Sequence, residues 1–343
     1  MAAEPIRTDL VIVGAGPVGL FAVFEAGLLG LKCHLVDALD RPGGQCAELY
    51  PEKPIFDIPA LPRCSGQELV DRLMEQAGPF APRFHLNQQA RALEPLEDGG
   101  WRLSTTAGTV LEAPALCVAA GAGCFVPRPV ALPEAAGFEG KSLFYAVRGR
   151  ERFRGKNVVV AGGGDSALDW ALDLHAIAAS VTIVHRRDEF RAAPDSIGRM
   201  RLLVERGALR LVVGEIKAME GEDGRLQALR VKEKSGGETA IPADALLAFY
   251  GLKSELGPLA EWGLAVERSH VRVSPDTMET NRPGLFAIGD IADYPGKLKL
   301  ILCGFHEAAL MAHRAREVCR PDERYVFRYT TSSIDLHKKL GIA

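Results

Sequence analysis

The chain has 343 residues, 47% of them hydrophobic and 25% charged, an ordinary globular composition with enough length for two domains. Its 41 basic and 44 acidic side chains leave a formal charge of −3, so no overall field favours nucleic acid or an anionic membrane. No apolar run reaches the roughly 18 residues of a membrane-spanning helix, and the first residues lack the apolar core of a secretory leader. The seven cysteines form no Cys-x-x-Cys and no metal-ligand spacing, which fits small buried side chains in a reducing compartment. A cytoplasmic protein is expected.

The first element in the chain is a dinucleotide-binding fingerprint. Asp9-Leu-Val-Ile-Val-Gly14-Ala-Gly16-Pro-Val-Gly19 reads as a short buried strand over 10–13, a glycine turn and a helix, and the next strand ends at Asp37. Gly14 permits the tight turn, Gly16 lets backbone approach a pyrophosphate, and Gly19 lets helix pack on strand. The phosphates would then sit at a helix N-terminus, where free N–H groups favour an anion. Asp37 suits ribose hydroxyls and would repel a 2′-phosphate, so this site is expected to hold FAD or NAD rather than NADP.

About 150 residues on, the pattern repeats with the opposite charge at its end. Asn157-Val-Val-Val-Ala-Gly162-Gly-Gly164-Asp-Ser-Ala167 predicts a strand over 158–161, a helix over 166–178 and a strand over 181–184. The pattern closes on Arg186 and Arg187, with Arg191 four residues further. Guanidinium groups bind phosphate through paired hydrogen bonds, so this turn is expected to hold NADPH by its 2′-phosphate.

The tail supplies the third landmark. Asn281-Arg-Pro-Gly-Leu-Phe-Ala-Ile-Gly289-Asp290 reads as a turn and a short buried strand ending in Gly-Asp, with a helix predicted over 304–316. An aspartate in that place can bond a ribityl chain, which selects FAD for the first site. If the strand belongs with the first fingerprint, the second domain is inserted into the first. The expected fold is therefore α/β, with two doubly wound Rossmann-like domains. Residues 1–118 and 252–343 form the FAD domain, and 119–251 the NADPH domain.

With these motifs in place, the chain resembles the two-dinucleotide-domain flavoproteins of thioredoxin-reductase type over nearly its whole length. Thioredoxin reductases carry a Cys-x-x-Cys before the second glycine turn, whereas residues 142–156 contain no cysteine. In the disulfide reductases with Cys-x-x-x-x-Cys beside the flavin, Cys46 would be the first cysteine, but the second position is Pro51. The match sharpens to the ferredoxin–NADP reductases of this type through Gly43-Gly-Gln45-Cys-Ala-Glu-Leu-Tyr50-Pro-Glu-Lys53 and an extension beyond the last helix.

The resemblance implies that Gln45 contacts the flavin nucleotide and that Tyr50 stacks on one face of the ring. It also implies flavin contacts at Ala90, Phe125, Asp290 and Thr331. In the extension, Tyr329 would cover the opposite face, with Thr330 beside it, and Tyr329 would move aside for the nicotinamide. The implied activity is hydride transfer from NADPH to flavin N5, followed by one-electron transfer to ferredoxin or flavodoxin, in a homodimer. Arg148, Arg150, Arg152, Arg154 and Lys156, with Lys297, Lys299, Lys338 and Lys339, are the basic candidates for docking an acidic partner. A reductase of low-molecular-weight disulfides or quinones, and a flavoprotein redox sensor, fit the same two sites.

Overall fold

The computed structural model describes residues 4–97, 99–121, 123–147, 149–324, 330–332 and 334–339. The chain divides into two compact units, one of residues 1–124 and 254–343, the other of 125–253.

The first unit is built on a five-stranded parallel sheet. Its order is Leu285–Ala287, Ala115–Val118, Leu10–Val13, Cys33–Val36 and Arg83–His85. Side chains alternate across a strand, so Leu10, Ile12, Cys33, Leu35, Ala115 and Cys117 join one apolar core while Val11, Val13, Val36, Leu116 and Val118 join another. Helices Pro17–Leu28, Gly66–Ala77 and Ile301–Cys319 supply the first core. The other face is covered by an antiparallel meander, Ala90–Pro95, Trp101–Thr105 and Val110–Ala113. This explains why the central strands read as continuous apolar runs: both faces are buried.

The second unit carries a seven-stranded sheet in the order Leu143–Phe144, Ala245–Ala248, Asn157–Ala161, Ser180–His185, Arg210–Glu222, Arg225–Glu233 and Glu238–Pro242. The first five are parallel, and the last two fold back antiparallel. Helix Asp165–Leu174 is shorter than the sequence predicts. Residues beyond it leave the helix because Gly155 donates to the Ile177 carbonyl and Ala179 donates to the Lys156 carbonyl.

The boundary between units falls after residue 124, later than the expected 118. Ala119 follows the strand Ala115–Val118, donates to the Val13 carbonyl and packs in the first unit's core, so the crossing begins only beyond it. Among the described residues, no helix is long and apolar enough to cross a membrane.

Helix Pro17–Leu28 meets the segment after helix Gly66–Ala77 at Gly27, where an added Cβ would lie 2.2 Å from the Phe80 ring. Gly27→Ala is therefore expected to lower stability by about 1–2 kcal/mol despite the better helix propensity of alanine. Gly78→Ala, at an already helical backbone with nothing within 4 Å of the new atom, should leave stability within about 0.5 kcal/mol. Urea denaturation midpoints of the two variants measure the contrast.

Candidate functional site: two glycine turns with opposite charge

Each unit places its glycine turn at the same topological point. Leu10–Val13 runs between Cys33–Val36 and Ala115–Val118, and Asn157–Ala161 runs between Ser180–His185 and Ala245–Ala248. In both, the chain leaves the central strand where its two neighbours diverge, which is where open α/β sheets bind ligands. Gly14 has φ +111° and Gly162 φ +147°. An added Cβ would stand 2.4 Å from the Ala119 carbonyl oxygen at Gly14, and 2.5 Å from the Phe249 carbonyl oxygen at Gly162. Neither position tolerates a side chain.

The helices that follow begin at Gly16 and Gly164, and neither N-cap carries a side-chain hydrogen bond. The first-turn amides thus lack the usual side-chain acceptor and suit an anion. A cofactor pyrophosphate fits both turns on this ground. Gly19 and Ala167 pack as expected: a Cβ on Gly19 would overlap the Gly14 carbonyl oxygen at 2.1 Å, and Ala167 is fully buried against the second turn.

The acid and the arginines differ in their surroundings. Asp37 Oδ2 accepts from the Ala15 N–H at 2.6 Å, and Oδ1 accepts from the Leu39 N–H at 2.9 Å. Burial pushes its carboxyl pKa up, and backbone amides, Ala15 first, oppose the rise. Each oxygen keeps a further lone pair for a hydroxyl donor. Arg186, Arg187 and Arg191 are exposed, and no carboxylate among the described residues lies within ion-pair distance of them. Their neighbour Asp188 is engaged by Arg201 at 2.5 Å instead. The second turn therefore carries guanidinium groups with no ion-pair partner among the described residues, which fit a 2′-phosphate.

A second glycine pair backs the first turn. Gly43 donates to the Ala15 carbonyl at 2.8 Å, and a Cβ on Gly44 would lie 2.9 Å from the Gly16 Cα. This holds the short helix Gly44–Glu48, and with it Gln45, beside the first glycine turn. Tyr50 is half-buried and packs on the same core. Burial, then Cys46, then the Asp290 charge raise the Tyr50 hydroxyl pKa.

Cys46 is buried, with Sγ 3.7 Å from the Tyr50 hydroxyl, and burial pushes its thiol pKa up to about 11. The sulfur is a thiol and not a nucleophilic thiolate at neutral pH.

The remaining expected contacts are distributed unevenly. Ala90 starts the meander and packs in the cluster that holds Val13 and Val36. Phe125 lies on the strand Cys124–Pro127 that crosses between the units. Thr330 and Thr331 are exposed in a single 3-10 turn, and Tyr329 lies outside the described residues.

The basic candidates separate clearly. Arg150 pairs with Asp173 at 2.8 Å, Arg154 pairs with Glu151 at 2.8 Å, and Arg152 lies 4.0 Å over the Phe144 ring. The expectation for Lys297 needs correction: its ammonium is buried against Glu307 and presents no charge to a partner. Lys299 contacts His270, and Lys339 lies 4.8 Å over Phe80. Arg148 lies outside the described residues.

Sequence reasoning missed Glu307, which is fully buried and accepts from the Gly289 N–H and the Tyr294 hydroxyl as well as from Lys297. The available signal was an acid in the apolar stretch Gly304-Phe-His-Glu307-Ala308, four residues before Met311 on the buried face of its helix.

Iodoacetamide labelling of the folded protein at pH 8, mapped by mass spectrometry, is expected to leave Cys46 unmodified. Rapid labelling there would show a thiolate and contradict its burial.

The chain matches the pyridine nucleotide-disulphide oxidoreductase family over residues 8–308. A relative from Parvibaculum lavamentivorans, named ferredoxin–NADP reductase, is 56% identical over 343 residues, covering 100% of both chains. One of the same name from Bradyrhizobium sp. (strain ORS 278) is 54% identical over 340 residues, 99% of each chain. Among solved structures, the T. acidophilum thioredoxin reductase aligns with a TM-score of 0.76 at 20% identity, over 91% of this chain and 98% of its own. The Lactococcus lactis thioredoxin reductase aligns at 0.74 and 24%, over 92% and 99%. At such identities these two likenesses concern the fold. With a two-unit dinucleotide-binding fold, two glycine turns of opposite charge and full-length relatives above 50% identity, the chain belongs to the pyridine nucleotide-disulphide oxidoreductases and, within them, to the ferredoxin–NADP reductases of thioredoxin-reductase type.

Proposed function

We propose that the chain binds FAD in its first unit and NADPH in its second, and carries electrons between NADPH and ferredoxin or flavodoxin. The observation that carries this reading is the contrast between the turns: a carboxylate anchored to the first and unpaired guanidinium groups at the second. The full-length relatives named ferredoxin–NADP reductase support the acceptor. When bound, FAD supplies the exchange between a two-electron donor and a one-electron acceptor.

The chain's own residues bind and orient. Gly14, Gly16 and Gly19 open the first turn to pyrophosphate, and Asp37 accepts from ribose hydroxyls. Gln45 and Tyr50 would meet the flavin from the segment held by Gly43 and Gly44, with Tyr50 placed to stack on the ring and Asp290 to bond the flavin's ribityl chain. Ala90, Phe125 and Thr331 would complete the contacts. Tyr329 would cover the other face, with Thr330 beside it, and would have to move aside to admit the nicotinamide. Gly162, Gly164 and Ala167 shape the second turn, while Arg186 and Arg187 select NADPH over NADH. No protein acid or base is assigned a proton. The active form is a cytoplasmic homodimer.

Arg186→Ala/Arg187→Ala is expected to raise the KM for NADPH by about 10–100-fold, the loss of one or two charge-assisted phosphate contacts, and to leave the KM for NADH nearly unchanged. An equal effect on both nucleotides would remove the arginines from cofactor selection.

The function itself is tested by the visible spectrum of the purified protein and by NADPH-dependent cytochrome c reduction with and without ferredoxin. A yellow protein whose rate rises strongly with ferredoxin, and falls with salt, is expected. A flavoprotein that oxidises NADPH but ignores both ferredoxin and flavodoxin would leave the acceptor to a small disulfide or quinone.

A further inference from the structure

The Gly289-Asp290 turn rests on a sealed charge pair. Glu307 is fully buried, and the Lys297 side chain is only 4% exposed. Glu307 Oε1 accepts from the Lys297 ammonium and from the Tyr294 hydroxyl at 2.7 Å, and Oε2 accepts from the Gly289 N–H at 2.7 Å. An apolar pair of similar volume is often at least as stable as a buried ion pair, so stability alone does not account for this one. Its distinguishing feature is the backbone bond to Gly289, the residue immediately before Asp290.

The surrounding packing makes that bond directional. Gly289 has φ +76°, and an added Cβ there would lie 3.5 Å from a Val18 methyl. At Gly304, on the helix that carries Glu307, an added Cβ would lie 2.3 Å from the same methyl. Val18 lies in the first turn of helix Pro17–Leu28, directly after the glycine turn, so the start of that helix packs against both Gly289 and Gly304. Glu307 then ties the Gly289 backbone to the helix. The phosphate turn, the Asp290 turn and the helix become one unit with few adjustable torsions.

We propose that Glu307 is a positioning residue for the flavin, aiming the Asp290 carboxylate through the Gly289 N–H, with Lys297 and Tyr294 holding the Glu307 carboxylate in place. The proposal rests on the reading that the first unit binds FAD. Lys297 balances the Glu307 charge, and among the described residues Asp290 makes no ion pair.

The test is a double-mutant cycle on FAD affinity, read by flavin fluorescence during titration of the apoprotein. Lys297→Met/Glu307→Met removes both charges at similar volume and takes away the acceptor for Gly289. It is expected to weaken FAD binding about tenfold with Asp290 present, and less than about twofold in an Asp290→Ala background. Lys297→Met/Glu307→Gln keeps an acceptor for the Gly289 N–H and is expected to stay within about threefold of the unaltered protein. An equal loss in both Asp290 backgrounds, or an equal loss for Met and Gln, would assign Glu307 a merely structural role and overturn the proposal. Should the Met pair not fold, Tyr294→Phe in the two backgrounds carries the same comparison, with about a threefold loss expected only when Asp290 is present. An unaltered apoprotein that binds no FAD would instead bring down the reading of the site itself.

Discussion

Backbone contact at the end of the central strand is the constraint on which the rest depends. In each unit the chain leaves the strand at a glycine whose missing side chain points at the carbonyl of the diverging neighbour, Ala119 in one case and Phe249 in the other. A methyl group there would push the two strands apart. Because the strands touch, the turn is tight and the following helix starts at once. Its N-terminus carries no side-chain cap, and every later contact is measured from that fixed point. Asp37 anchors to Ala15, Gly43 anchors to the Ala15 carbonyl, and Val18 seats both Gly289 and Gly304.

Charge in this chain is informative mainly where it is left over. Arg150 and Arg154 are neutralised locally, Lys297 is buried in a pair, and Arg201 occupies Asp188. Surface pairs of this kind add little stability, but they remove a cation from the field that a partner meets. Among the described residues Arg186 and Arg187 make no ion pair, and they stand beside the second glycine turn, where the proposed function puts a 2′-phosphate. The same accounting applies to sulfur. Burial keeps Cys46 a thiol next to Tyr50, so this segment brings no thiolate to the first unit.

The central strands and both turns were legible in the sequence because burial on two faces gives short apolar runs and because glycine is irreplaceable at each turn. Helix ends were less legible. Gly304 looks like a helix boundary, yet the helix starts at Ile301, since the close approach to Val18 and not chain reversal demands that glycine. The meander from Ala90 to Ala113 covers the second face of the sheet, and of its strands only Trp101–Thr105 alternates between buried and outward positions, so the unit as a whole did not announce itself. Tertiary pairing was invisible altogether. Nothing local separates Lys297, which is buried, from Lys299, which is exposed two residues later, because the difference is made by Glu307 on another element.

The placement of Leu285–Ala287 in the first unit's sheet has a consequence for synthesis. That strand pairs with Ala115–Val118, and the helix that seals the same core ends only at Cys319. A ribosome must therefore deliver the whole of residues 125–253 before the first unit can complete its sheet. The second unit, whose strands all lie within one continuous stretch, has everything it needs to fold as it emerges. The half-built first sheet must wait through that interval with the Ala115–Val118 edge open, the period of greatest exposure to misassociation for this chain.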